Sequence, residues 1–200
     1  MRKAALTALL AATVLALVAG PASAARIVLE IGDGPNQGFN SPTPVSPVAG
    51  NPGRTLGEQR VNVFEAAAAV WEHRLVSHAV IRVSASYDSD ELECSGITGT
   101  LAAAAPTLAF RSVPGQVRPA TWYTWAQANA MAGRELEPNE KQAHIEVTVN
   151  PDVGTPGCLN SLRWDHRIGT AVLGTNVSLF GVLMHEIGHG LGVLELVDHE

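Results

Sequence analysis

His185-Glu186-Ile187-Gly188-His189-Gly190-Leu191-Gly192 is the stretch that decides how the rest of this 200-residue chain is read. Two histidines four apart fall on one side of an α-helix, one turn above the other. At that spacing both imidazoles reach a single Zn²⁺, and Glu186 stands beside them as a base for a water on the metal. The same letters also occur on ordinary amphipathic helices, so the surroundings have to supply a helix and a cleft. The residues just upstream supply the helix. Asn176 or Ser178 caps it, and Leu179, Leu183, Ile187 and Leu191 form one apolar stripe at i+4 steps that packs inward. His185 and His189 form a neighbouring stripe that faces the cleft.

Further upstream, His144 to Asn150 reads as a strand, with Ile145, Val147 and Val149 pointing one way and His144, Glu146 and Thr148 the other. One buried face predicts an edge or rim strand. Pro151 to Gly169 is a long loop holding Cys158, Trp164 and His166. A shorter helix spans Ala120 to Ala132 and stops at Gly133 in a C′ position. Gly96 to Ala105 is rich in small residues and reads as another strand, which Leu108 to Val113 continues or leaves for a loop. Asp88 to Glu93 is an acidic turn without the register of a calcium loop.

Ala79 to Tyr87 reads as a strand with Arg82 turned outward. Before it, Thr55 and Glu58 form a capping box, opening a long helix on which Val61, Phe64, Ala68, Trp71 and Leu75 face a sheet. Arg60, Asn62, Glu65, Glu72 and Arg74 face away. Residues 32–54 are rich in Gly, Pro, Asn and Ser, which predicts an extended surface loop following a first strand at Arg26 to Ile31. The predicted fold class is α+β: a twisted mixed sheet packed on a long helix and a second helix bearing the two histidines.

The N-terminus reads as an export signal. Arg2 and Lys3 precede an uncharged apolar run from Ala4 to Ala19, and Pro21-Ala22-Ser23-Ala24 offers a small-residue cleavage site. The run is short for a membrane span, so the mature chain is expected to carry no anchor. Cleavage after Ala24 leaves 11 basic against 19 acidic residues, a formal charge of −8. That balance argues against nucleic acid or an anionic membrane surface as partner and leaves a peptide or protein substrate open. The expected segments are then 1–24 as signal, 25–54 as strand and loop, and 55–200 as the catalytic domain. Cys94 and Cys158 are the two cysteines, and in an exported chain they are expected to form one disulfide.

On His185-Glu186-x-x-His189-x-x-Gly192 the chain resembles the zincin metalloproteases, and the motif is similar to the first part of the longer metzincin signature. The resemblance implies a zincin-like N-terminal subdomain and a secreted zinc endopeptidase. His185 and His189 would be ligands and Glu186 the general acid/base. It places a third ligand three residues after Gly192, where this chain has Glu195, with Asp198, His199 and Glu200 as nearby substitutes. It also implies a methionine turn after the motif. Since no methionine follows Met184, the C-terminal subdomain is expected to be missing from this chain. Gly38-Phe39-Asn40, Gly50-Asn51-Pro52-Gly53 and Gln59-Arg60 extend the likeness to a group of exported bacterial zincin-like proteins, some with a protease-associated domain. Two further readings stand beside the endopeptidase: an exported binding or surface module with an incomplete site, and a zinc hydrolase acting on amides other than peptides.

Overall fold

The computed structural model describes residues 24–90, 92–139, 141–169, 171–172 and 174–194. The expected signal segment lies outside them except for Ala24, and so do Glu195, Asp198, His199 and Glu200. The first strand, β1, is Arg26–Ile31, as expected from the sequence. A short 3-10 turn at Gly38–Asn40 leads through the Pro/Gly loop to α1, Leu56–Glu72. Thr55 caps α1 with the full capping box: its hydroxyl accepts from the Glu58 amide, and the Glu58 carboxylate accepts from the Thr55 amide. Strand β2, Val80–Tyr87, follows and lies parallel to β1. The chain is thus a mixed α+β fold from its first β-α-β unit onward.

Strand β3, Ala102–Pro106, starts later than expected, because residues 94–99 form a turn bridged between Cys94 and Gly99. Ala109–Phe110 (β4) and Tyr123–Thr124 (β5) pair as a separate two-stranded ribbon. That ribbon delays the second helix, α2, which runs from Trp125 to Ala132 instead of starting at Ala120. Thr124 caps it with Gln127 in a second capping box, and Gly133 ends it in the left-handed region at φ 66°. Strand β6 is Ile145–Val149. Trp164–Asp165 (β7) and Val177–Ser178 (β8) make a parallel pair, and α3, Leu179–Gly190, closes the described chain.

The main sheet has the order β1-β2-β6-β3, with β3 antiparallel and the rest parallel. This corrects the placement of β6. It is an interior strand, and β3 forms the edge beside α3. One-sided burial reports that a single face of the sheet carries helices. It does not report which strand lies at the border. His144 is corrected as well: it is fully buried, its ring edge-on to Trp125 at 4.6 Å. Its Nδ1 accepts from the Arg82 amide at 3.1 Å, so Nε2 carries the proton and donates to Glu135 at 2.9 Å. Burial pushes the His144 imidazole below its ordinary range, against the opposing pull of Glu135.

The core lies between the sheet and helices α1 and α3. Val63, Phe64 and Ala67 of α1 and Leu179, Leu183 and Ile187 of α3 meet Ile81, Val83, Ile145, Val147 and Val149. Val63 and Ala67 belong to this core although the expected stripe omitted them. Arg60 and Glu72, expected to face away, are recruited by the fold. Glu72 accepts from the Ile27 amide at 2.6 Å, and the Arg60 guanidinium lies 3.9 Å over the Tyr87 ring while Nη1 donates to Gly38 O.

Next to Arg60, the Nε2 of His166 is buried and, among the described residues, has no hydrogen-bond partner. Burial and the nearby guanidinium push His166 down to about 4, against the pull of Asp165. The folded value lies below the unfolded one, so the unfolded chain takes up a proton first as pH falls. Stability is therefore lost between about pH 6.5 and 4, and the loss is on the order of 2 kcal/mol after allowance for partial exposure. Thermal melts across that window should show a shallower fall for His166→Gln than for the wild type. Parallel slopes would contradict the assignment.

The expected disulfide is present: Cys94 and Cys158 are bonded, with Cα atoms 5.1 Å apart across 64 residues of sequence. This is compatible with an exported protein. Among the described residues no helix is long and apolar enough to cross a membrane.

Candidate metal centre

Helix α3 is capped by Ser178, whose hydroxyl accepts from the Gly181 amide at 3.0 Å. Leu179, Leu183 and Ile187 are fully buried along one stripe, and His185 is exposed on another. The inward stripe fixes the rotation of the helix, and that rotation aims the histidines at solvent. Gly188 and Gly190, one on each side of His189, let the helix sit close to its neighbours. A Cβ on Gly188 would stand 3.1 Å from the Trp71 ring, whose Nε1 donates to Met184 O at 3.0 Å. A Cβ on Gly190 would overlap the side chain of Ile145 in the interior strand.

Gly190→Ala should therefore destabilise the fold by about 1–2 kcal/mol, because overpacking outweighs the helix propensity gained. In an Ile145→Ala background the same change should cost nothing. Chemical denaturation of the four-member cycle measures this, and additive effects would contradict the packing argument.

The end of α3 sets the second half of the site. Gly192, at φ 106°, donates its amide to His189 O at 3.0 Å, and Val193 donates to Gly188 O at 2.9 Å. These are the two bonds of a Schellman motif with Gly192 at C′. The turn brings the Val193 carbonyl back over the helix, 2.8 Å from Nδ1 of His189. A carbonyl only accepts, so Nδ1 carries the proton and the Nε2 lone pair of His189 is free to bind. Orientation of a ligand histidine through its other nitrogen is the usual supporting arrangement in metal sites.

The Nε2 atoms of His185 and His189 approach to 2.8 Å, with ring planes 87° apart. Two imidazole nitrogens on one tetrahedral zinc stand roughly 3.3 Å apart, so a small ring rotation suffices to admit the ion. With Nδ1 of His189 protonated, the close contact is a hydrogen bond from Nε2–H of His185 to the His189 Nε2 lone pair, and a cation displacing that proton would meet two lone pairs directed at one point. Paired imidazoles are a borderline-soft donor set that suits zinc. His185 and His189 thus fit the metal. Among the described residues no third His, Cys, Asp or Glu joins them, and Glu195 with its substitutes lies outside those residues.

Glu186 is 7% exposed. Burial pushes its carboxyl above the ordinary glutamate range, against the pull of His185 and His189. It lines a cleft with His185, Val182 and Gly181 on the helix side and Gly99, Leu101 and Ala102 on the other. The start of edge strand β3 therefore faces the candidate base. Neither this wall nor the Val193 carbonyl was evident from the sequence. The glycine at C′ was the available signal for the carbonyl, because a Schellman turn returns the next residue toward the helix.

No family model, curated protein or solved structure matches this chain.

Proposed function

We propose that the protein is an exported zinc-dependent endopeptidase with a zincin-like fold, using His185 and His189 as metal ligands and Glu186 as general base. The observation that carries this reading is the convergence of two helix-borne imidazoles, one locked by the Val193 carbonyl, beside a nearly buried glutamate on a cleft. Zinc, when bound, would polarise the scissile carbonyl and lower the pKa of water.

The remaining work falls to the chain itself. An extended peptide laid in the cleft would pair with the outer edge of β3, the border strand beside α3. The Glu186 carboxylate takes the proton of the attacking water and then delivers it to the leaving amine nitrogen. Its low exposure favours the protonated form needed for the second transfer.

The test is zinc analysis of the purified protein together with a casein digest, with and without chelator. One zinc per chain and chelator-sensitive cleavage restored by added zinc are expected. Wild-type protein that binds no zinc overturns the proposal.

A further inference from the structure

The wall opposite Glu186 is held in an unusual way. Residues 95–101 lie outside the main sheet, and their own bonds are local: Ser95 N to Thr98 O at 2.6 Å and Thr100 N to Glu93 O at 2.8 Å. Among the described residues, the backbone bonds tying this segment to the rest of the chain run to the loop after β6. Leu159 donates to Ser95 O, Asn160 to Gly96 O and Asn150 to Leu101 O, at 2.6, 3.2 and 2.9 Å. Asn150 is fully buried, and its side-chain amide adds a bond to Thr100 O at 2.8 Å. The Cys94–Cys158 disulfide joins the same two segments.

The cross-link lies directly behind the wall. Gly99 fronts the cleft, and a Cβ added to it would stand only 2.5 Å from the Cys94 sulfur. Leu101, the next wall residue, packs on the small cluster of Val153, Cys158 and Leu159, which is separate from the main core. The disulfide therefore braces the wall and not the sheet.

We infer that the Cys94–Cys158 disulfide and Asn150 are positioning elements that set the distance of the Gly99–Ala102 wall from His185 and Glu186, and so the grip on a bound peptide. The inference rests on the zinc-peptidase reading, and its test separates the two. The Cys94→Ser/Cys158→Ser variant is compared with the wild type in zinc content, in KM and kcat on a peptide substrate, and in hydrogen exchange by segment. Wild type treated with a phosphine reductant and then reoxidised serves as a reversible second arm.

The expected result is unchanged zinc, faster exchange confined to residues 95–101, and KM raised about tenfold, the worth of roughly one net hydrogen bond. kcat should stay within about threefold, because the ligands and base keep their places. Reoxidation should restore KM. A loosened wall with unchanged KM overturns the inference, as does faster exchange spread through residues 145–149 and 179–190. A wild type that binds zinc yet cleaves nothing defeats the peptidase reading alone. In that case confinement of the exchange to 95–101 still supports the brace, and its spread still overturns it.

Discussion

Glu186→Gln is expected to lower peptide hydrolysis by about 10²–10⁴-fold while zinc content stays at the wild-type level, because only the proton acceptor is lost. Gln keeps the volume and the polar end of the side chain and cannot take a proton at neutral pH. The candidate ligand nitrogens are untouched, since His189 is oriented by the Val193 carbonyl and not by Glu186. Stability should not fall either. Burial disfavours the charged carboxylate, and a neutral amide in its place relieves that cost. Thermal melts, metal analysis and a casein digest on one preparation measure all three. Loss of zinc from the Gln variant would make Glu186 part of the metal's support, and full activity would remove it from the mechanism.

What was legible in the sequence was local. The Thr55–Glu58 capping box, the stop at Gly133, the Ser178 cap and the Leu179–Leu183–Ile187 stripe each depend on residues within one or two turns. All of them hold in the structure. The disulfide was legible from compartment alone. What was missed is lateral or distant. The order β1-β2-β6-β3 depends on pairing across the chain, which the alternation along His144 to Asn150 does not encode. That same strand places His144 against Glu135 and Trp125, partners nine and nineteen residues upstream, so a residue expected to face water is buried. Glu72 and Arg60 look like solvent-facing positions on a helical wheel. Each is claimed by a backbone group, Ile27 N or Gly38 O, that the wheel does not contain.

The candidate site divides along the same line. Its two imidazoles and its glutamate are a local motif, and they converge as the helical spacing requires. The support for His189 comes from a main-chain oxygen whose position depends on backbone conformation, and the cleft wall comes from a loop nearly ninety residues away in sequence. Local spacing therefore carries the candidate ligands and base, and not the parts that hold them.

Gly192 is where these two levels meet, and its substitution tests the connection. Gly192→Ala puts a side chain at φ 106°, a conformation that L-residues rarely adopt, and aims its Cβ into the Gln127 side chain. Gln127 is the N3 partner in the α2 capping box, so it cannot withdraw without giving up its bond from the Thr124 amide. The chain should relax instead by opening the Schellman turn. That breaks the bonds from Gly192 to His189 O and from Val193 to Gly188 O, and moves the Val193 carbonyl off Nδ1. Strain and lost bonds together should cost about 1–3 kcal/mol of stability. Loss of the carbonyl support should weaken zinc binding by about 10–100-fold. Gly133→Ala separates the two effects. Gly133 also has a positive φ, 66°, but nothing lies within 4 Å of its Cβ position and it ends a different helix. It should lose stability and keep the wild-type zinc affinity in a competition titration. If Gly192→Ala matches Gly133→Ala in that titration, the turn after α3 is only a helix stop and the Val193 carbonyl does not prepare His189 for metal.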